Sequence, residues 1–208
     1  MICLAVSPEV RAAFPGYRAG VVAASGLLNG PSGSVPAVEP APRDHPHLLA
    51  WREAFRAFGA KPKRYQCSAE ALIRRVVSGE GLPSVNRLVD LYNAVSVRWA
   101  VPVGGEDLDR VAGPVRLVFA SGGEPFDGGD PPKAGEVVWA DEAGVTCRRW
   151  NWRQGRRTRL EVGTTRAYFL FDALPELGDD ALAGALDELA ERLRGVSPGA
   201  RIETFVVA

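Results

Sequence analysis

Apolar positions change their period along the chain, and the changes mark out its elements. Residues 2–6 and 17–24 are short apolar runs of strand length, the second ending at Ser25-Gly26. Residues 29–46 are dense in Gly, Pro and Ser without any period, which predicts a surface loop. Leu48, Trp51, Phe55 and Phe58 then fall on one helical stripe closed by Gly59. An aromatic stripe at this spacing reads as core. After a basic connector at residues 61–65, Ser68 is placed to cap a helix over 69–77, with Gly79 and Gly81 as its stop. In residues 82–97, Pro83-Ser84 reads as a helix start, and Val85, Leu88, Val89, Tyr92 and Val95 as its apolar face. Beyond Trp99 the period shortens. Residues 115–120, 136–140, 145–152 and 166–172 are β-rich runs separated by Gly, Pro and Asp, implying an antiparallel or mixed sheet and not βαβ units. Residues 179–193 return to helix with Leu182, Leu186, Leu189 and Leu193 on a stripe, and residues 202–207 close as a strand. Helices gathered ahead of strands predict an α+β fold, a mixed or antiparallel β core with helices packed around it. Residues 1–47 are expected to belong to the same globular unit as residues 48–208.

Three positions resist that pattern. Asn86, Asp90 and Asn93 share a face of the 82–97 helix, although Asn and Asp are poor helix formers. Either they hydrogen-bond neighbouring loops or they line a pocket. Ser121-Gly-Gly-Glu124 follows directly on a strand, so Glu124 is either a pocket carboxylate or a solvated turn residue. Residues 147–159 hold six arginines interleaved with two tryptophans. Strand alternation would put Arg149, Asn151 and Arg153 on one face and Arg148, Trp150 and Trp152 on the other. Arginine recognises carboxylate or phosphate through two parallel hydrogen bonds. Arg149 and Arg153 are read as functional, and Arg156, Arg157 and Arg159 as turn residues.

Composition narrows the chemistry. The 208 residues are 46% hydrophobic and 24% charged, as in ordinary soluble proteins, and 25 basic residues balance 25 acidic ones. No apolar run approaches the roughly 20 residues of a membrane span, and the start lacks the basic region of a signal peptide, so a cytoplasmic protein is expected. Cys3, Cys67 and Cys147 are odd in number and far apart, reading as buried structural thiols and not as disulfides or metal ligands. No phosphate loop, dinucleotide fingerprint or nucleophile elbow is present. His45 and His47, flanking Pro46, would bind metal only with ligands from elsewhere. The expected chemistry therefore uses no cofactor and no metal, and runs on carboxylates, amides, arginines, backbone groups or the substrate itself.

Residues 68–96, with Ala-Leu-Ile-Arg-Arg-Val-Val and Leu-Pro-Ser-Val-Asn-Arg-Leu-Val-Asp-Leu-Tyr-Asn, resemble the B3/B4 module of the phenylalanyl-tRNA synthetase beta subunit. Asn86, Val89-Asp90 and Asn93 match its opening helix, residues 113–124 its next strand with a glycine and glutamate, and Thr164-Thr165 with the strand to Asp172 its closing stretch. The similarity covers about residues 48–174 and extends to free-standing members that carry Trp-Asn-Trp-Arg. In the synthetase the module edits, hydrolysing the ester of a wrongly attached amino acid on tRNA. The resemblance implies a stand-alone aminoacyl-tRNA deacylase acting in trans. Asn86, Asn93 and Glu124 would orient the amino acid and a water, and Asp90, Arg149, Asn151, Arg153 and Thr165 would hold the substrate. Lys61, Lys63, Arg64, Arg74, Arg75, Arg156 and Arg157 would contact tRNA. The alternatives are a non-catalytic module binding tRNA or an amino acid, and a structural partner protein. Where the synthetase has a glycine-rich pocket strand, this chain has residues 149–153, Arg-Trp-Asn-Trp-Arg.

Overall fold

The computed structural model describes residues 2–33 and 37–208, so residues 34–36 of the expected loop lie outside the described residues. In chain order the elements are β1 (Leu4–Val6), α1 (Pro8–Ala13), β2 (Arg18–Ser25), α2 (Pro46–Ala57), α3 (Ser68–Val77), α4 (Arg87–Trp99), β3 (Val103–Asp107) and β4 (Val115–Phe119). They continue with β5 (Val137–Asp141), β6 (Gly144–Arg148), β7 (Arg153–Gln154), β8 (Arg166–Ala173), a 3-10 turn (Pro175–Leu177), α5 (Asp179–Val196) and β9 (Arg201–Val207). Among the described residues, no helix is long and apolar enough to cross a membrane.

The strands form two sheets, one ordered β1-β4-β5-β6-β7 and the other β3-β8-β2-β9. All pairings are antiparallel except β1 with β4, so the fold is α+β with one mixed sheet. Period-two alternation along β8 divides the second sheet between two cores. Ala167, Phe169, Phe171 and Ala173 meet Leu182, Leu186, Leu189 and Leu193 of α5. Tyr168 and Leu170 face the other way, into a core shared with Trp51, Phe55, Leu117, Trp139 and Trp150. Gly20 on β2 allows the closest approach of α5, since a Cβ there would lie 2.9 Å from Leu182.

Several sequence expectations are corrected here. Ser84 does not start the long helix. Asn86 is the N-cap, its side chain accepting from the Val89 N–H, and α4 begins at Arg87, so Val85 lies outside it and is exposed. The Ser68 hydroxyl caps nothing, because the cap position is Cys67. The 145–152 run is not one strand. Arg149 and Trp150 adopt left-handed backbone, φ 45° and 65°, and turn the chain between β6 and β7, which cancels the expected alternation of side chains. Of the three cysteines expected to be buried, Cys67 is, Cys147 is half-buried and Cys3 is exposed, at the chain's start ahead of β1. Helix α1, capped by Ser7, and strand β3 have no counterpart among the expected elements.

His47, considered above as a metal ligand, is a junction of the fold. It is fully buried, and its Nε2 accepts from Trp51 Nε1 at 3.1 Å and from the Leu174 N–H at 3.0 Å. Its Nδ1 must then carry the proton and donate to the Ala100 carbonyl at 2.8 Å. Burial lowers its pKa to about 4. A base whose folded pKa lies below its unfolded value keeps full stability above the unfolded pKa, near 6.5, and loses it as pH falls toward 4. Replacing His47 by alanine is expected to cost about 3 kcal/mol at pH 8 by orphaning these groups. It should also remove this residue's share of the acid destabilisation, as chemical denaturation at pH 8 and pH 5 will measure.

Candidate functional site

A cavity of about 280 Å³ lies between the two sheets, closed at one end by α3 and α4. Five aromatic residues line it, Tyr92, Trp139, Trp150, Trp152 and Tyr168, beside the aliphatic Leu72, Val103 and Leu170. Strand β3 supplies Gly104 and Glu106 from one face, and a Cβ at Gly104 would meet nothing within 4 Å, so the cavity reaches the backbone there. Asn93, Asn151, Gln154 and Asp172 complete the polar lining, with Ser68 at the start of α3.

Polar atoms in this cavity are held in place but not all satisfied. Asp172 is the anchor. It accepts from Tyr17 Oη and, at 3.2, 3.4 and 3.1 Å, from Trp150 Nε1, Trp139 Nε1 and Asn151 Nδ2. Burial raises its pKa to about 6, with these donors pulling the other way. Trp150 is fully buried among Phe14, Tyr17 and Trp51, with ring centroids 4.7, 4.9 and 5.0 Å away. That packing offsets the roughly 1 kcal/mol or more that each left-handed non-glycine residue costs. Among the described residues, the buried side-chain atoms without a hydrogen-bond partner are Ser68 Oγ, Glu106 Oε2, Asn151 Oδ1 and Thr158 Oγ1. The first three belong to lining residues. Unsatisfied buried polar atoms are uncommon in folded proteins, and three around one cavity mark where a bound molecule would be recognised. Burial pushes the Glu106 carboxyl up to about 7, against the polar pull of the nearby Thr158 and Gln154 side chains, neither of which reaches hydrogen-bonding geometry with its Oε2. A carboxylate tuned to neutrality inside a cavity has the properties of a proton acceptor.

The expected site residues separate on this geometry. Asn93 and Asn151 line the cavity. Asn86 does not. Its amide donates to the Leu160 carbonyl at 3.0 Å while its oxygen caps α4. Asp90 accepts from the Val85 N–H and from Ser32 Oγ, pinning the segment before α4. The three polar residues thus have two different jobs, two in loop bonding and one in the cavity. Glu124 caps its own turn, accepting from the Ser121 and Gly122 N–H groups. Thr165 is exposed, whereas Thr164 is buried and donates to Asp107 at 2.7 Å. Arg153 is exposed beside Trp152, 5.3 Å from its ring centroid. Arg149 is buried, pairs with Glu136 at 3.0 Å and lies 3.8 Å over the Tyr65 ring.

The proposed tRNA contacts are similarly divided. Lys61, Lys63, Arg64, Arg74 and Arg156 are exposed. Arg75 pairs with Glu80 at 3.0 Å. Arg157 is held by Asp141 at 2.7 and 2.9 Å, which fastens the segment after β7 to β5. Glu106 and Gly104 escaped sequence reading. The Val-Gly-Gly-Glu-Asp run looks unlike a strand because glycine is strand-poor.

Residues 50–178, more than half of the chain, match the family model described as B3/4 domain. The chain belongs to this family. As a B3/4 domain it is similar in fold to a crystal structure of an N-terminal fragment of the phenylalanyl-tRNA synthetase beta-subunit from Pyrococcus horikoshii, with a TM-score of 0.54 and 11% sequence identity. The alignment covers 100% of this chain and 54% of that one, so the B3/4 protein spans about half the length of the fragment. No curated protein matches the chain.

Proposed function

We propose that this B3/4 domain is an aminoacyl-tRNA deacylase whose substrate's aminoacyl group enters the aromatic cavity. The reading rests on one observation: a neutral-pKa carboxylate, Glu106, stands with a free oxygen in a cavity that also offers unpaired Ser68 and Asn151 atoms. An aminoacyl ester is already activated, so a positioned water and a proton acceptor suffice for its hydrolysis. Glu106 would take the proton from the attacking water and return it to the departing ribose oxygen as the acyl C–O bond breaks, leaving a free amino acid and a tRNA hydroxyl. The Asn93 amide would polarise the ester carbonyl and stabilise the charge developing on its oxygen. Asn151, oriented by Asp172, would hold the amino acid with its outward oxygen. Asn86 and Glu124, expected to share the catalytic work, support this reading only as anchors of the elements around the cavity.

A panel of tRNAs, each charged with a different amino acid, tests the proposal. Release above the buffer rate from at least one of them is expected, with an aromatic or large apolar amino acid favoured by the walls. The second reading is a binding module for an amino acid, and the closed bonding of Asn86 and Glu124 favours it. No release from any member of the panel, with saturable binding of a free amino acid, would establish that reading instead.

A further inference from the structure

A second cavity, of about 380 Å³, lies against the first, the two separated by one pair of touching rings. Tyr65 lines the second, Trp152 lines the first, and their rings meet edge to face with centroids 4.8 Å apart. Arg149 covers both, 3.8 Å over Tyr65 and 4.7 Å over Trp152. The second cavity is basic. Lys61, Arg64, Lys133 and Arg149 surround it, and its one carboxylate, Glu136, is already bound by Arg149 at 3.0 Å and by Arg148 at 2.8 and 3.2 Å. Among the described residues, Lys61, Arg64 and Lys133 make no ion pair, although most other arginines of the chain do.

Unpaired like charges around a concavity repel one another and focus a positive potential into it. A compact anion relieves that repulsion. The Tyr65 face is occupied by Arg149, and Arg64 also lies 5.4 Å from its centroid, so the cleft offers charge and not a stacking surface. A ligand would be recognised there by its negative group. We propose that this cleft is a phosphate-binding site contiguous with the aromatic cavity. The phosphate belongs either to a small phosphorylated ligand or to the terminus of an RNA. The second source rests on the deacylase reading; the phosphate site itself does not.

The test titrates the full chain with inorganic phosphate, adenosine 5′-monophosphate, adenosine and the trinucleotide CCA, following backbone amide resonances. Phosphate, the monophosphate and CCA are expected to shift the amides of Gly59, Tyr65 and Ala134, and adenosine is expected to leave them unmoved. The double variant Lys61→Glu, Lys133→Glu changes two exposed side chains and should weaken monophosphate binding tenfold or more with an unchanged melting temperature. Lys61→Gln with Lys133→Gln gives the same direction without introducing new charge. CCA binding more tightly than the monophosphate assigns the site to RNA, and the reverse assigns it to a small ligand. Equal shifts by adenosine and the monophosphate, or unaltered affinity in both double variants, would overturn the site. Hydrolysis of a small aminoacyl ester without phosphate keeps the two proposals apart. Phosphate binding with no release from the small ester or from any member of the tRNA panel sinks the deacylase and leaves the cleft standing, and cleavage without phosphate binding sinks the cleft alone.

Discussion

Replacing Glu106 by glutamine is expected to slow the proposed deacylation about 100-fold or more while making the protein more stable at alkaline pH. The rate loss follows from removing the proposed general base, a group that typically contributes about 10²–10⁴-fold. The glutamine side chain keeps the shape and one acceptor oxygen, so KM should change little. If Glu106 instead received the ammonium group of a bound amino acid, KM or Kd would rise and kcat would hold. The stability gain has a definite sign. An acid whose pKa rises on folding, here from 4.5 to about 7, keeps its full stability below the unfolded value and loses it as pH climbs through 7. At pH 8 the parent therefore carries a burden that glutamine removes, up to about 3 kcal/mol by the size of the shift. The gain should fade to nothing by pH 4.5. Unfolding free energies of both proteins across pH 4.5–8, beside their kinetics, check each half. A variant that is less stable than the parent at pH 8 would show that the carboxylate is paired after all.

The second expectation concerns Asp172. Alanine there strips the acceptor from Tyr17, Trp150, Trp139 and Asn151 together, and should lower the unfolding free energy by about 4 kcal/mol. Asparagine should stay within about 1 kcal/mol of the parent. Its carbonyl oxygen retains Tyr17 and the indoles, and its amide faces Asn151, whose own unpartnered oxygen can accept after the Asn151 amide turns. Chemical denaturation of the two variants separates the hydrogen-bond anchor from the charge. An equal loss in both would mean that the negative charge holds the site together, and no loss in alanine would remove the anchor from the account.

How far the sequence disclosed this arrangement depended on the range of the interactions involved. The Leu48-Trp51-Phe55-Phe58 stripe and the leucines of α5 announce their helices because burial repeats with the helical period. Local signals also identified the α+β class and the family. The Asn86-Asp90-Asn93 face was visible as an anomaly, but its division between cap, loop anchor and cavity wall depends on partners far along the chain, such as Leu160. The Arg-Trp-Asn-Trp-Arg stretch was read as a strand because its composition alternates. Two left-handed residues override that, supported by Trp150 packing that no local rule contains. Glu106 was passed over because its significance is entirely tertiary: burial shifts its pKa and β8 sets its position.

Strand β2, at residues 18–25, is flanked on one side by β8 and on the other by β9, more than 140 and 175 positions later. Neither neighbour exists when β2 leaves the ribosome. The β1–β4 pair likewise spans over 100 positions. Loop closure must therefore precede the reward of pairing on both sheets, which makes for slow folding and a long interval with unpaired apolar strands. Because β8 also carries Tyr168, Leu170 and Asp172 of the cavity wall, the pocket is completed late in that sequence. A nascent chain stalled before residue 166 lacks both partners of β2 and the Asp172 side of the pocket, so its apolar strand edges are exposed before it can receive any ligand.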